Sequence, residues 1–254
     1  MSEHSSVKTL SIKGQDVAYR YQKPATKNGK TVVFLHGLGS DSHGSKVTAL
    51  EPFCHDIGLG TLAFDYPCHG QSDGKLVDFT ISKALDAVLA LLDTLDEQVI
   101  LYGSSTGGWL TLLTAMRQPE KVAGAMTIAC ATDFTEELYW QSMTPEQQTD
   151  WIEKGYLESP ADDGEVWHIG YELITDGRKH LLFGTGALTK LRCPIRFIHG
   201  MEDDVVPFGF SVRTASECGS ENAQVILVKG ANHSLSRPQD IALQQQHLQA
   251  LGTD

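Results

Sequence analysis

The sequence predicts an α/β fold: a mostly parallel sheet entered through an N-terminal antiparallel hairpin, helices on both faces, and a helical cap insertion. Three observations predict it. Short apolar runs without polar alternation recur along the chain, the pattern of strands buried on both faces. Helix-period segments separate them, and most runs stop at His-Gly, Gly or Asp. The first residues differ: 7–12 and 17–21 alternate around Gly14-Gln15-Asp16, which reads as a hairpin at the sheet edge.

The parallel strands are expected at 31–35, 61–64, 99–102, 122–129, 195–198 and 225–228. A helix is expected over 80–95, where Ile81, Ala84, Leu85, Val88, Leu91, Leu92 and Leu95 make one apolar stripe and leave Lys83, Asp86 and Asp93 in water. Another starts at Ser105 and stops before Pro119. Residues 133–190 break the alternation. They hold no convincing strand, many acidic and amide residues, and Trp140, Trp151 and Trp167. Neither flank looks like a linker, so the segment reads as a cap inserted into one domain of 1–254.

Composition narrows the function. Lys and Arg number 20 against 32 Asp and Glu, a net charge of −12. Such a surface repels phosphate backbones and anionic headgroups, which disfavours nucleic acid and membrane partners. No apolar run approaches the roughly 18 residues of a membrane span. Residues 1–6 lack a secretory or Arg-rich transit pattern, so a cytoplasmic protein is expected. Five cysteines without a CxxC pair argue against a disulfide framework or a structural zinc, and no metal site is expected.

Four segments carry chemistry. Gly103-Ser104-Ser105-Thr106-Gly107 fits a G-x-S-x-G nucleophile elbow, with an apolar strand running in and a helix running out. Ser105 is central; Ser104 reads as a small turn residue. His199-Gly200-Met201-Glu202-Asp203-Asp204 follows a strand, at the edge where open α/β sheets bind ligands. A carboxylate there can hold an imidazole's tautomer, and Asp203 and Asp204 compete for that role. Gly230-Ala231-Asn232-His233 follows the last strand. His36-Gly37-Leu38-Gly39 follows the first parallel one, where the N–H of Leu38 can join that of Thr106 in stabilising an oxyanion. His36 and His199 read as structural, while His69 is the rival histidine that could line the site.

Together these segments resemble the α/β-hydrolase superfamily over nearly the whole chain, and Asp65-Tyr66-Pro67-Cys68-His69-Gly70-Gln71-Ser72 looks like that family's loop after the next strand. Cys68 stands where glycine is common; a positive φ there would cost stability. Gly103 to Leu110, Pro119-Glu120-Lys121-Val122 and Cys193-Pro194-Ile195-Arg196 resemble the mitochondrial acyl-glucuronide esterase and protein depalmitoylase branch. The resemblance implies the α/β-hydrolase fold and ester or thioester hydrolysis without a cofactor. It also implies Asp203 as the acid, from its place between His-Gly and Val-Val-Pro, and His233 as the base, from the chain order serine, acid, histidine. Carbon–carbon bond hydrolases and perhydrolases share this triad and stay open. A non-catalytic ligand-binding relative would show a degraded triad, whereas this one is whole.

The expected reaction is a two-step acyl transfer on a small-molecule ester or thioester. The cap tryptophans either form an apolar acyl site or pack the cap onto the body. Glu136, Glu137, Asp162 and Asp163 read as a solvated face. A monomer or homodimer is equally compatible.

Overall fold

In the computed structural model, which describes residues 6–160, 164 and 166–253, the expected hairpin forms from β1 (Lys8–Ile12) and β2 (Gln15–Gln22). The chain continues through β3 (Thr31–Leu35), α1 (Ser45–Asp56), β4 (Gly60–Phe64), α2 (Ile81–Leu92), β5 (Val99–Ser104), α3 (Thr106–Arg117) and β6 (Val122–Ile128). After the inserted segment come β9 (Ile195–Gly200), α6 (Gly209–Glu217), β10 (Ala223–Val228) and α7 (Pro238–Thr253). The eight strands order as β1-β2-β4-β3-β5-β6-β9-β10. β2 pairs antiparallel with β1 and β4, and the remaining pairings are parallel.

Burial on both faces accounts for the unbroken apolar runs. In β3, Val33 and Leu35 join the core that holds α2 and α3, while Val32 and Phe34 join the core that holds α1 and α7. Each such side chain stabilises the fold by about 1.5–3 kcal/mol. Helix α2 carries the expected stripe and starts at Thr80, whose hydroxyl accepts the Lys83 N–H at 3.2 Å.

The inserted segment departs from expectation. It contains a π turn (Thr135–Tyr139) and helices α4 (Pro145–Lys154) and α5 (Glu172–Gly177), and also an antiparallel ribbon of β7 (Tyr156–Pro160) and β8 (Val166–Gly170). The strand signal was weak because a two-stranded ribbon buries little. Glu158, Val166 and His168 are exposed, so polarity does not alternate cleanly. Helix α4 is delimited by a Thr144/Gln147 capping box and by Gly155 in the left-handed conformation.

Asp133 ties the start of the segment between β6 and β9 to residues 182–183. Its carboxylate accepts N–H bonds from Leu182 at 2.9 Å and Phe183 at 2.7 Å. Burial pushes its carboxyl up to about 6, outweighing those two bonds. Its share of stability is therefore present below the unfolded value near 3.9 and is lost as pH rises through 6. The unfolding free energy of wild type relative to Asp133→Asn should fall by about 2–3 kcal/mol between pH 4 and 7. Urea titrations at both pH values measure it; a constant difference would rule the effect out.

Candidate active site

Strand β5 delivers Ser105 at the sheet's carboxyl edge with φ 54° and ψ −117°, as the first residue before α3. Both flanking glycines are sterically required. A Cβ on Gly103 would collide with the Gly107 carbonyl, and one on Gly107 with that of Leu35. The strained turn is anchored through its backbone: Ser105 N–H donates to Ile128 O at 2.8 Å, and its carbonyl accepts from Gly108 and Ala131. Its hydroxyl makes no hydrogen bond to a protein group among the described residues, and the side chain lines a cavity of about 830 Å³.

His233 lines the same cavity. Its Nδ1–H donates to Asp203 Oδ2 at 2.8 Å, which leaves Nε2 with the lone pair. The Asp203 side chain is fully buried. Its Oδ1 accepts from the Val205 and Val206 amides at 2.9 and 2.8 Å. Burial opposes ionisation there, but hydrogen bonds from His199, His233 and the Val206 amide outweigh it and hold the carboxyl well below the usual range.

His199, expected only to end a strand, is the second imidazole on that carboxylate. Its Nε2 lies 3.0 Å from Asp203 Oδ2 and 2.9 Å from Val206 O. Both are acceptors, so Nε2 carries the proton, and Nδ1 accepts from the Ser211 hydroxyl at 2.7 Å. Periodicity could not have revealed this contact, since His199 sits at an ordinary strand position.

Leu38 and Thr106 also line the cavity. Neither amide donates to a protein group among the described residues, and Thr106 opens α3, where helix geometry leaves its N–H without a partner. Asp204 is exposed at the rim, as expected of the solvated neighbour. His69 is buried behind the Leu38 loop and does not line the cavity.

Of the three tryptophans offered as candidate substrate contacts, with packing as the alternative, only Trp167 lines the cavity. Trp151 and Trp140 are corrected to packing residues. Trp151 is buried and donates to Ile169 O at 3.0 Å, and Trp140 packs against Tyr171 and the Arg178 guanidinium. Phe134, Leu138, Tyr139 and Pro160 supply the apolar wall instead. Lys46 was also missed: it lines the cavity, and its ammonium donates to Ser234 O at 2.8 Å while burial pulls it down to about 8. Glu136 and Glu137 pair with Arg178 and Arg213. Asp162 and Asp163 lie outside the described residues. Cys68 adopts φ 73°, so the left-handed position anticipated in that loop is present, and burial pushes its thiol up, keeping it neutral.

A model of the alpha/beta hydrolase family matches residues 32–244. The chain belongs to the alpha/beta hydrolase family. Within the family, this hydrolase is 35% identical over 215 residues to the bovine mitochondrial palmitoyl-protein thioesterase ABHD10, covering 84% of this chain and 69% of the relative. The structure of mouse alpha/beta hydrolase domain-containing protein 10 superimposes with a TM-score of 0.87 at 32% identity, covering 97% of this chain and 98% of the other. A crystal structure of an Agrobacterium vitis S4 protein gives 0.90 at 28% identity, covering 98% and 99%. The hydrolase therefore has the α/β-hydrolase fold expected from its motifs. The cytoplasmic expectation is overturned: the bovine thioesterase and its mammalian counterparts are mitochondrial by name.

Proposed function

We propose that this hydrolase cleaves carboxylic thioesters and esters through Ser105, His233 and Asp203, with segment 133–190 as the cap of a single domain. The observation that carries the reading is the His233–Asp203 pair, held by a buried carboxylate in the cavity that Ser105 also lines. His233 Nε2 takes the Ser105 proton as Oγ attacks the acyl carbon. Asp203 stabilises the imidazolium, and the Leu38 and Thr106 amides receive the oxyanion. The thiol or alcohol leaves with the proton from His233, and water then attacks the acyl-enzyme by the same route. The volume suits a small-molecule acyl site. The thioesterase names of the relatives place thioesters first among substrates to try.

A fluorophosphonate probe followed by peptide mapping tests the assignment: one adduct on Ser105 is expected, lost in the Ser105→Ala variant. Labelling of another serine, or none, refutes it. Parallel series of acyl thioesters and p-nitrophenyl esters then rank the leaving group and chain length.

A further inference from the structure

The two peptide units around Leu38 are each pinned by an imidazole. His36 Nδ1–H donates to Gly37 O at 2.8 Å. The Leu38 N–H belongs to that same trans peptide and so faces the opposite way. In the next unit, Gly39 N–H donates to His69 Nε2 at 3.0 Å. His69 comes from a separate loop, after β4. Its Nε2 can accept only while the ring is neutral, and its Nδ1–H lies toward Pro67 O at 3.4 Å. Burial, helped by the neighbouring His36, pulls this imidazole down to about 3, so the acceptor persists around neutral pH, where the enzyme would be assayed. The edges and faces of Tyr66 and Phe79, with ring centroids 5.8 and 4.7 Å away, fix its plane. On the other side, Gly39 has φ 70°, and any side chain there would run into the Trp167 indole of the cap.

We propose that His69 is a positioning residue for the transition-state oxyanion: by accepting the Gly39 N–H it holds the Leu38 amide toward the cavity, with Trp167 closing the loop from the cap side. The proposal rests on the reading that Leu38 is an oxyanion donor to an acyl group on Ser105. It gives the buried His69 a function that neither proton transfer nor substrate contact supplies. A loop released from His69 would still bind the ground-state ester, whose carbonyl demands little of the donor. It would stabilise the charged tetrahedral adduct less, so the loss belongs in kcat rather than KM.

The experiment compares wild type, His69→Leu and His69→Gln for kcat, KM, thermal midpoint and inhibition by a trifluoromethyl ketone, which forms a charged tetrahedral adduct on serine. His69→Leu should lower kcat about 10- to 100-fold, with KM within about twofold, and weaken the ketone by the same factor as kcat/KM. His69→Gln, whose Oε1 can accept near the Nε2 position, should recover most of both losses. If His69→Leu does not fold, His69→Asn replaces it: its acceptor falls short of Gly39, and the same losses are expected. Wild-type kcat in the folded leucine or asparagine variant, or equal losses with Gln and Leu accompanied by a raised KM, overturns the role of His69 while leaving Ser105 standing. Failure of the fluorophosphonate to label wild-type Ser105 overturns both.

Discussion

Ser105→Ala is expected to lower kcat by about 10⁴- to 10⁶-fold while leaving KM and the fold nearly unchanged. The fold should tolerate it because the serine hydroxyl has no protein partner among the described residues; the turn is held by the backbone bonds of Ser105 to Ile128, Gly108 and Ala131. Strain supplies a second readout. At φ 54° and ψ −117° any side chain is disfavoured, a cost of about 1–3 kcal/mol. Ser105→Gly should therefore melt above Ser105→Ala while being equally inactive. Steady-state kinetics with calorimetry on the two variants checks both halves. Activity within tenfold of wild type in the alanine variant would remove Ser105 from the chemistry.

Asp203→Asn is expected to cost about 10⁴-fold in kcat. The surroundings dictate the sense of the amide. Val205 and Val206 both present N–H groups to Oδ1, so the asparagine oxygen must face them, which turns its NH₂ toward His233 Nδ1 and His199 Nε2. His233 then has to carry its proton on Nε2, where the reaction needs a lone pair. His199 is left donor against donor unless it switches tautomer against Val206 O. A stability change should accompany the kinetic one. The depressed carboxyl stabilises the fold above the unfolded value near 3.9 and loses that share as pH falls toward its lower folded value. Wild type should thus exceed the variant in unfolding free energy at pH 7 and converge with it at strongly acid pH. Kinetics near wild type in Asp203→Asn would show that another group orients His233.

Much of the architecture was legible because parallel strands must be apolar on both faces. The run 31–35 and the stripe from Ile81 to Leu92 are each written in one local period, and both appear where expected. Helices α1 and α7 carry no clear local signal: α1 holds Pro52 inside it and buries only Val47, Leu50 and Cys54, and α7 buries only Asp240, Gln244, Leu248 and Leu251, so neither shows a clear apolar stripe. The ribbon in the insertion escaped for the related reason that two strands bury too little to enforce alternation.

At the site, local sequence suffices for the features that the backbone of one turn or the order of the chain imposes. Gly103 is required by a clash with the Gly107 carbonyl inside the same turn, and the positions of Asp203 and His233 after β9 and β10 follow from chain order; Gly107 is required by the Leu35 carbonyl of the neighbouring strand, a contact that folding creates. Which side chains surround those positions depends on the folded chain. His199 on the buried carboxylate, His69 behind Gly39, Lys46 on the cavity wall, and Trp167 rather than Trp140 or Trp151 against it all depend on segments brought together from different elements. Local pattern records the period with which a segment meets the core. It carries no information about which distant segment it meets there, because that choice is made by packing across the sheet and around the cavity.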